Sequence, residues 1–171
     1  KSPQTGFYSE SYAGGTAAAS MAATGFDAVM IKGAGEGPVW LEIGETGVSF
    51  HPAEDLWGLD TYETEDRIKD WIRENRTAAK RSGVVTIGPA GENKIVFAVI
   101  ENDYWRSAGR TGVGGVLGSK NIKAIAFWGN RKRDVADPGL LKSFAKEMAT
   151  RSKEDASVKA YKSMGTPMLV D

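Results

Sequence analysis

Five glycines between Gly109 and Gly118 constrain this chain more than any other feature. They sit in the stretch Asp103–Gly129, DYWRSAGRTGVGGVLGSKNIKAIAFWG, which opens on an arginine-bearing turn and ends in an alternating apolar run. Glycine weakens helices and strands alike, so such density marks a place where the backbone itself must approach something closely. Arg106 and Arg110 flank the glycines and make that something anionic. A glycine-rich turn feeding a helix N-terminus beside guanidinium groups is a sound phosphate cradle.

Composition narrows the function classes. The 171 residues allow one domain with a real core. Basic and acidic residues balance at 22 each, without the basic stripe of a nucleic-acid module. No apolar run approaches the ~20 residues that span a bilayer, so neither nucleic acid nor membrane is an expected partner. The polar start KSPQTG has no signal-peptide core and no Met, as expected of a fragment or a processed chain. Cysteine is absent and His51 is the single histidine, which excludes Cys–His triads, multi-His metal sites and cysteine-held clusters within these residues.

Read in order, Lys1–Tyr12 is a loop and Gly14–Thr24 a small-residue helix stopped by Gly25. Its alanines suit tight packing on a sheet. Phe26–Ile31, Val39–Ile43 and Gly47–Phe50 read as strands of an antiparallel meander. Pro52–Asp60 is a connection with Trp57 as a core plug. A helix begins at Thr61 or Thr64 and buries Ile68, Trp71 and Ile72 as a cover without a site. Arg76–Ser82 reads as a solvated basic linker. Gly83–Ile87 and Lys94–Ile100 are strands joined by the turn Gly88-Pro89-Ala90-Gly91. A short helix Gly112–Gly118 and a strand Lys123–Trp128 follow. Asp137 caps a last amphipathic helix to Lys153, with Leu140, Leu141, Phe144 and Met148 as its stripe. Leu169-Val170 reads as cut off within an element.

Ser20–Gly33 and Gly115–Gly129 form a weak internal repeat: helix end, Gly25 or Asn121 as a left-handed stop, then an apolar run closed by Gly33 or Gly129. A true repeat brings the turns Tyr12–Gly15 and Arg106–Gly109 together, which suits a ligand with two phosphates. Named phosphate motifs do not fit. Gly112 and Gly114 begin a G-x-G-x-x-G pattern, but Leu117 stands at its last position, and Gly118-Ser119-Lys120 breaks the Walker order. The pairs Glu63/Asp66 and Asp134/Asp137 read as helix starts, His51 as a packed or exposed bystander, and Lys94 and Lys123 as solvated strand-end charges.

Eight short motifs together resemble the N-terminal domain of the tungsten-containing aldehyde ferredoxin oxidoreductases. They are K-S-P-x-T-G at Lys1–Gly6, A-G-G at Ala13–Gly15, G-F-D-A at Gly25–Ala28 and L-W-G at Leu56–Gly58. T-x-E-T-E at Thr61–Glu65, I-G-P-A-G-E-N at Ile87–Asn93, R-x-A-G-R-x-G-V-G at Arg106–Gly114 and G-S-K-N-I-K-A-I-A at Gly118–Ala126 complete the series. The resemblance implies an α+β domain of two packed, mainly antiparallel sheets related by a pseudo-twofold, with flanking helices. It implies a bis-tungstopterin cofactor, with a magnesium ion bridging the pterin phosphates and bound by the backbone carbonyls of Tyr12 and Ser107. Gly14, Arg106 and Gly109 then belong to the cofactor site, and no catalytic residue lies in this chain. The same resemblance implies a 4Fe-4S cluster with ligands outside this chain, reached through a downstream C-x-x-C-x-x-x-C run. It also implies ferredoxin or another electron-transfer protein as partner, a possible homodimer, a cytoplasmic location and aldehyde oxidation by the full-length protein. Residues 1–136 are expected to be the cofactor-seating domain and 137–171 the start of a following helical domain, the fragment alone being inactive. Tyr12 and Ser107 depart from the family's usual Asn and Ala, and carbonyl ligation tolerates both. Two alternatives remain at this point: a non-catalytic phosphate or nucleotide module using Gly109–Gly118, and a structural domain seated on partner chains.

Overall fold

The computed structural model describes residues 1–169 and divides into two units, Lys1–Arg133 and Asp134–Asp171. In the first unit, helix α1 (Ala17–Thr24) precedes a hairpin of β1 (Val39–Gly44) and β2 (Gly47–Pro52). Helix α2 (Thr61–Asn75), strand β3 (Ser82–Thr86) and the single turn α3 (Pro89–Glu92) follow. The short pair β4 (Ile100–Asn102) and β5 (Arg106–Ala108) leads to α4 (Val113–Ser119) and β6 (Ile122–Trp128).

The α+β class stands, but the strands form one sheet where two were expected. Its order is β2-β1-β6-β3-β4-β5, antiparallel throughout except for the β1–β6 pair. Apolar side chains on both faces of β6 explain the union. Ala124 and Ala126 face α2 together with Trp40, Ile68, Ile72 and Val84. Ile125 and Phe127 face the opposite side with Leu41, Ile43, Ile87 and Leu117. A strand buried on both faces belongs at the centre of one sheet, with helices on either side.

Other expectations shift locally. Phe26–Ile31 is not a strand: it takes part in no strand pairing among the described residues, and Met30 is exposed. The turn expected at Gly88–Gly91 is the start of α3, with Pro89 in its first turn, so the strand expected from Lys94 begins only at Ile100. Ala53 and Leu56, with Trp57 half-buried beside them, plug the core. Asp60 caps α2, its carboxylate accepting from the Glu63 N–H at 2.8 Å. Helix α1 begins at Ala17, three residues after Gly14, and stops at Gly25 in the left-handed region (φ +90°).

Two charged residues of this sheet, Glu42 and Lys123, are buried where charges are costly. Arg76 is not solvated: it binds Glu42 through Nε and Nη2 at 2.5 and 2.8 Å. Trp128 Nε1 donates to the same carboxylate at 2.7 Å, and His51 Nε2 lies 2.9 Å away, stacked on Trp40. Burial raises the Glu42 pKa, but these bonds, Arg76 first, outweigh it and hold the carboxyl below its ordinary range. Lys123 is also not solvated. It is fully buried, donates to Leu59 O at 2.7 Å and pairs with Glu92, which in turn accepts the Gly58 N–H. Burial pulls its ammonium pKa below the ordinary lysine value against the pull of Glu92.

The second unit holds α5 (Pro138–Glu154), α6 (Ala156–Met164) and a 3-10 turn Thr166–Leu169. Asp137 and Asp155 cap the two helices through the N–H groups of Leu140 and Val158. The stripe Leu140, Leu141 and Phe144 is exposed within this unit. Val170, part of the element read as cut off, lies outside the described residues.

Removing one member of a buried pair leaves the other uncompensated, at a cost of roughly 3–5 kcal/mol. Glu92→Gln is therefore expected to lower unfolding free energy by about 3 kcal/mol in urea titrations, and the double variant Glu92→Gln/Lys123→Met to recover most of that loss. Equal losses in the single and double variants refute this account of the pair.

Candidate cofactor site

The local sequence builds two corners. The first is Tyr12–Thr16, running into α1, where Gly15 adopts φ +99°. The second is the β4–β5 turn and its exit, Asp103–Gly109, where Asp103 and Tyr104 have φ of +46° and +60°. A side chain at Gly15 has no room: the place of its Cβ is taken by Asn102 Oδ1 and lies 2.6 Å from Asp103 Oδ2. At Gly14 the corresponding point lies 3.7 Å from Arg106 Cδ, so the two corners touch.

Carboxylates staple the corners together. Asp103 accepts from the Thr16 N–H at 2.5 Å and from the Thr16 hydroxyl at 2.9 Å. Lys69 of α2 lies 3.3 Å from Asp103 and 2.5 Å from Glu65. Glu65 is fully buried and accepts the backbone N–H groups of Asp103 and Tyr104 at 3.0 and 3.3 Å, which satisfies the strained turn. Burial raises the Asp103 pKa, yet the Thr16 bonds and Lys69 bring it below the ordinary aspartate value. Lys69 is raised: burial lowers it, and the bonds to Glu65 and Asp103 prevail. Nearby, Asn102 donates from Nδ2 to Arg106 O at 2.9 Å, while its buried Oδ1 has no partner among the described residues.

Between the corners lies an open cleft of about 480 Å³ lined by Glu10, Ser11, Tyr12, Ser107, Gly109 and Arg110. Three of the five expected site residues, Tyr12, Ser107 and Gly109, line it. Gly14 and Arg106 pack against each other in the adjoining corners. The Arg110 N–H donates to Ser11 Oγ at 3.0 Å, linking residues 99 positions apart. The Ser107 hydroxyl donates to Glu101, its cross-strand neighbour, at 2.6 Å. The Tyr12 ring is exposed, and Glu10, followed by burial and Tyr8, raises its phenol pKa. Among the described residues neither Arg106 nor Arg110 makes an ion pair. The Arg110 guanidinium and the Glu10 carboxylate in one cleft, with Arg106 in the adjoining corner, suit an anionic ligand accompanied by a cation. Among the described residues no three His, Cys, Asp or Glu side chains converge to cage a metal, and the cleft offers a cation main-chain carbonyls, the Glu10 carboxylate and the hydroxyls of Ser11, Tyr12 and Ser107.

The glycines themselves mostly serve packing. The Cβ positions of Gly112, Gly114 and Gly118 are occupied by Val96 O, Val99 O and Gly91 O, and that of Gly115 lies 2.9 Å from Ile95 O. The close approach read from the glycine density is thus to the chain's own backbone around α3, which removes the basis for a nucleotide site along Gly109–Gly118. Gly109 alone of the five meets only ordinary contacts, the nearest at 3.7 Å. Sequence reasoning missed Glu10, Ser11 and the Glu65–Lys69–Asp103–Thr16 network. The only signal for the network was a charged residue, Glu65, on the apolar face of α2.

The two main-chain corners, braced by the α2 carboxylate network, meet at an open cleft on one edge of an α+β domain. The model of the family described as "Aldehyde ferredoxin oxidoreductase, N-terminal domain" matches residues 1–129. Tungsten-containing aldehyde ferredoxin oxidoreductases of Thermococcus kodakarensis and Pyrococcus abyssi are 40% and 39% identical over 155 residues, 91% of this chain and 25% of each relative. The solved active-site complex BamBC of benzoyl coenzyme A reductase, bound to 1,5-dienoyl-CoA, superposes with a TM-score of 0.80 at 33% identity over 90% of this chain and 22% of that one. The chain belongs to the aldehyde ferredoxin oxidoreductase family and corresponds to its N-terminal domain. It spans about a quarter of the length of the curated relatives it matches. Among the described residues no helix is long and apolar enough to cross a membrane.

Two outcomes follow from this geometry. Gly118→Ala places a methyl on Gly91 O and is expected to cost about 3 kcal/mol or more, whereas Gly109→Ala changes stability by less than about 0.5 kcal/mol, both read by chemical denaturation. Asp103 has its folded pKa depressed, so its stabilisation is present above the unfolded aspartate value and is lost as pH falls through the folded one. The acid limb of the stability curve below about pH 4 is therefore expected to flatten in Asp103→Asn, which is also less stable at neutral pH by about 1–2 kcal/mol. An unchanged acid limb removes Asp103 from the staple.

Proposed function

We propose that this domain seats a bis-tungstopterin cofactor in an enzyme that oxidises aldehydes to carboxylic acids and passes the electrons through a 4Fe-4S cluster to ferredoxin or a similar carrier. The observation that carries this reading is the meeting of Tyr12 and Ser107 in one cleft, with Arg106 and Arg110 beside them. The donor set fits the cofactor: backbone carbonyls of Tyr12 and Ser107 for a magnesium ion, and Gly14, Gly109 and Arg106 for the pterin phosphates. When bound, the tungsten centre supplies two-electron redox chemistry at the substrate carbon. This chain's own work is then positional. The α2 carboxylate network fixes both corners before ligand arrives, so ordering them costs little on binding. Open main chain at Gly109 lets the phosphate approach closely, and the arginines balance its charge. Residues 137–171 then begin the following domain, and the cluster ligands and substrate-side groups lie elsewhere in the full-length polypeptide.

The test uses full-length protein purified without oxygen. Tungsten or molybdenum is expected by elemental analysis, with aldehyde-dependent reduction of a viologen dye. Arg106→Ala is expected to lower bound metal and pterin phosphate at least about tenfold, the scale of one lost charge-assisted bond of roughly 1.5–3 kcal/mol, while circular dichroism stays unchanged. Full metal retention in a folded Arg106→Ala protein rules Arg106 out of the seat, and absence of both metals in the parent rules out the reading.

A further inference from the structure

A second cleft, of about 680 Å³, lies among α1, the start of β3 and the segment after β6. It shares none of the residues that line the first cleft, although Thr16, Lys69 and Asp103 of the staple form part of its wall. Lys80, Arg81, Arg131 and Lys132 line it, with Lys69 and Asp103. The whole chain is charge-balanced at 22 and 22, yet here five bases meet a single acid. That acid is already engaged by Thr16 and Lys69. Among the described residues Lys80, Arg81 and Lys132 make no ion pair, and Arg131 reaches Glu45 only at 3.7 Å. Cations crowded around one recess repel each other and raise the local concentration of anions.

Ser20 lines the cleft as a neutral donor. The residue is only 4% exposed, but its oxygen is not among the buried polar atoms left without a partner, so water can reach it. Helical serines and threonines usually bond back to a carbonyl three or four residues earlier. Thr24, Ser119, Ser143 and Thr150 all do so in this chain. Ser20 is held against Gly83, where an added Cβ would sit 2.9 Å from its Oγ, and its hydroxyl is left for whatever enters.

We propose that this cleft binds a small multivalent oxyanion of the diphosphate class. Lys80, Arg81, Arg131 and Lys132 supply the charge, and Ser20 and Ser82 supply neutral donors. The volume falls in the range of about 300–1,000 Å³ typical of small-molecule sites. Free pyrophosphate and the diphosphate of a nucleotide share this chemistry.

The test titrates the 171-residue chain with pyrophosphate and with ADP in a calorimeter, against sodium chloride of matched ionic strength. Saturable one-to-one binding of pyrophosphate is expected. Lys80→Ala/Lys132→Ala is expected to weaken it at least about tenfold, since each charge-assisted bond contributes roughly 1.5–3 kcal/mol. Ser20→Ala, a change too small to unseat α1, is expected to weaken it severalfold. Tighter binding of ADP assigns a nucleotide, and equal affinity assigns the free diphosphate. The proposal is overturned if heat follows ionic strength alone, or if the lysine pair has no effect in a folded variant. Capture of polyglutamate without pyrophosphate binding overturns it in favour of an acidic macromolecule. Because Lys80 and Lys132 lie outside the first cleft, failure here leaves the cofactor reading standing, and the reverse.

Discussion

The architecture depends on carboxylates withdrawn from water and answered by backbone N–H groups. Glu65 sits on the apolar face of α2, where a charge is expensive unless every oxygen finds a donor. It finds Lys69 on its own helix and the N–H groups of Asp103 and Tyr104. Those two residues hold positive φ, which side chains other than glycine's resist. The buried carboxylate stabilises a turn that the backbone alone disfavours, and the turn aims Asp103 at Thr16. Helix, hairpin and N-terminal corner thus form one rigid unit, although the residues joined lie far apart in sequence.

Glycine plays the complementary part. Where carboxylates tie elements by charge, glycines let them close to contact. Gly83 admits Ala17 and Ser20, and Gly129 lies against Ala23 O, which brings the alanine-rich α1 down onto β3 and β6. On the other flank, Gly114 and Gly118 let α4 press on the carbonyls of Val99 and Gly91. Close backbone contact of this kind leaves little freedom for α4 or for the loop before it, so Gly109 and Arg110 project from a fixed base. Ligand approach and tight packing make the same demand on the backbone, and for that reason a glycine-rich stretch does not say which of the two it serves.

Legibility followed the range of the interaction. Helices α2, α4 and α5, the β1–β2 hairpin and β6 were readable because local periodicity, caps and turn residues determine them. The approach of the Tyr12 and Arg106 corners was suggested by the repeat and by the family resemblance, and the cleft brings Tyr12 and Ser107 together. Phe26–Ile31 was misread because an apolar run marks only the capacity to pair, and among the described residues it pairs with no strand. Arg76 and Lys123 were misread as solvated because their partners, Glu42 and Glu92, lie 34 and 31 positions away. A long cationic side chain looks the same in sequence whether its head meets water or a buried carboxylate. The single sheet escaped notice because its only parallel pair, β1 with β6, joins strands from opposite ends of the unit.

The two departures from the family pattern fall where side-chain identity matters least to the proposed seat. A hard cation senses the position of an oxygen and is indifferent to the residue that bears it. Ser107 spends its hydroxyl on Glu101 across the β4–β5 ladder, which stiffens the strand carrying its carbonyl. Tyr12 projects an exposed ring beside Glu10, on the open side of the cleft. Substitutions that leave the main chain in place therefore alter the rim and spare the base. In a seat of this design the peptide backbone sets how the ligand rests, and the side chains around its mouth are free to vary with whatever lies above it.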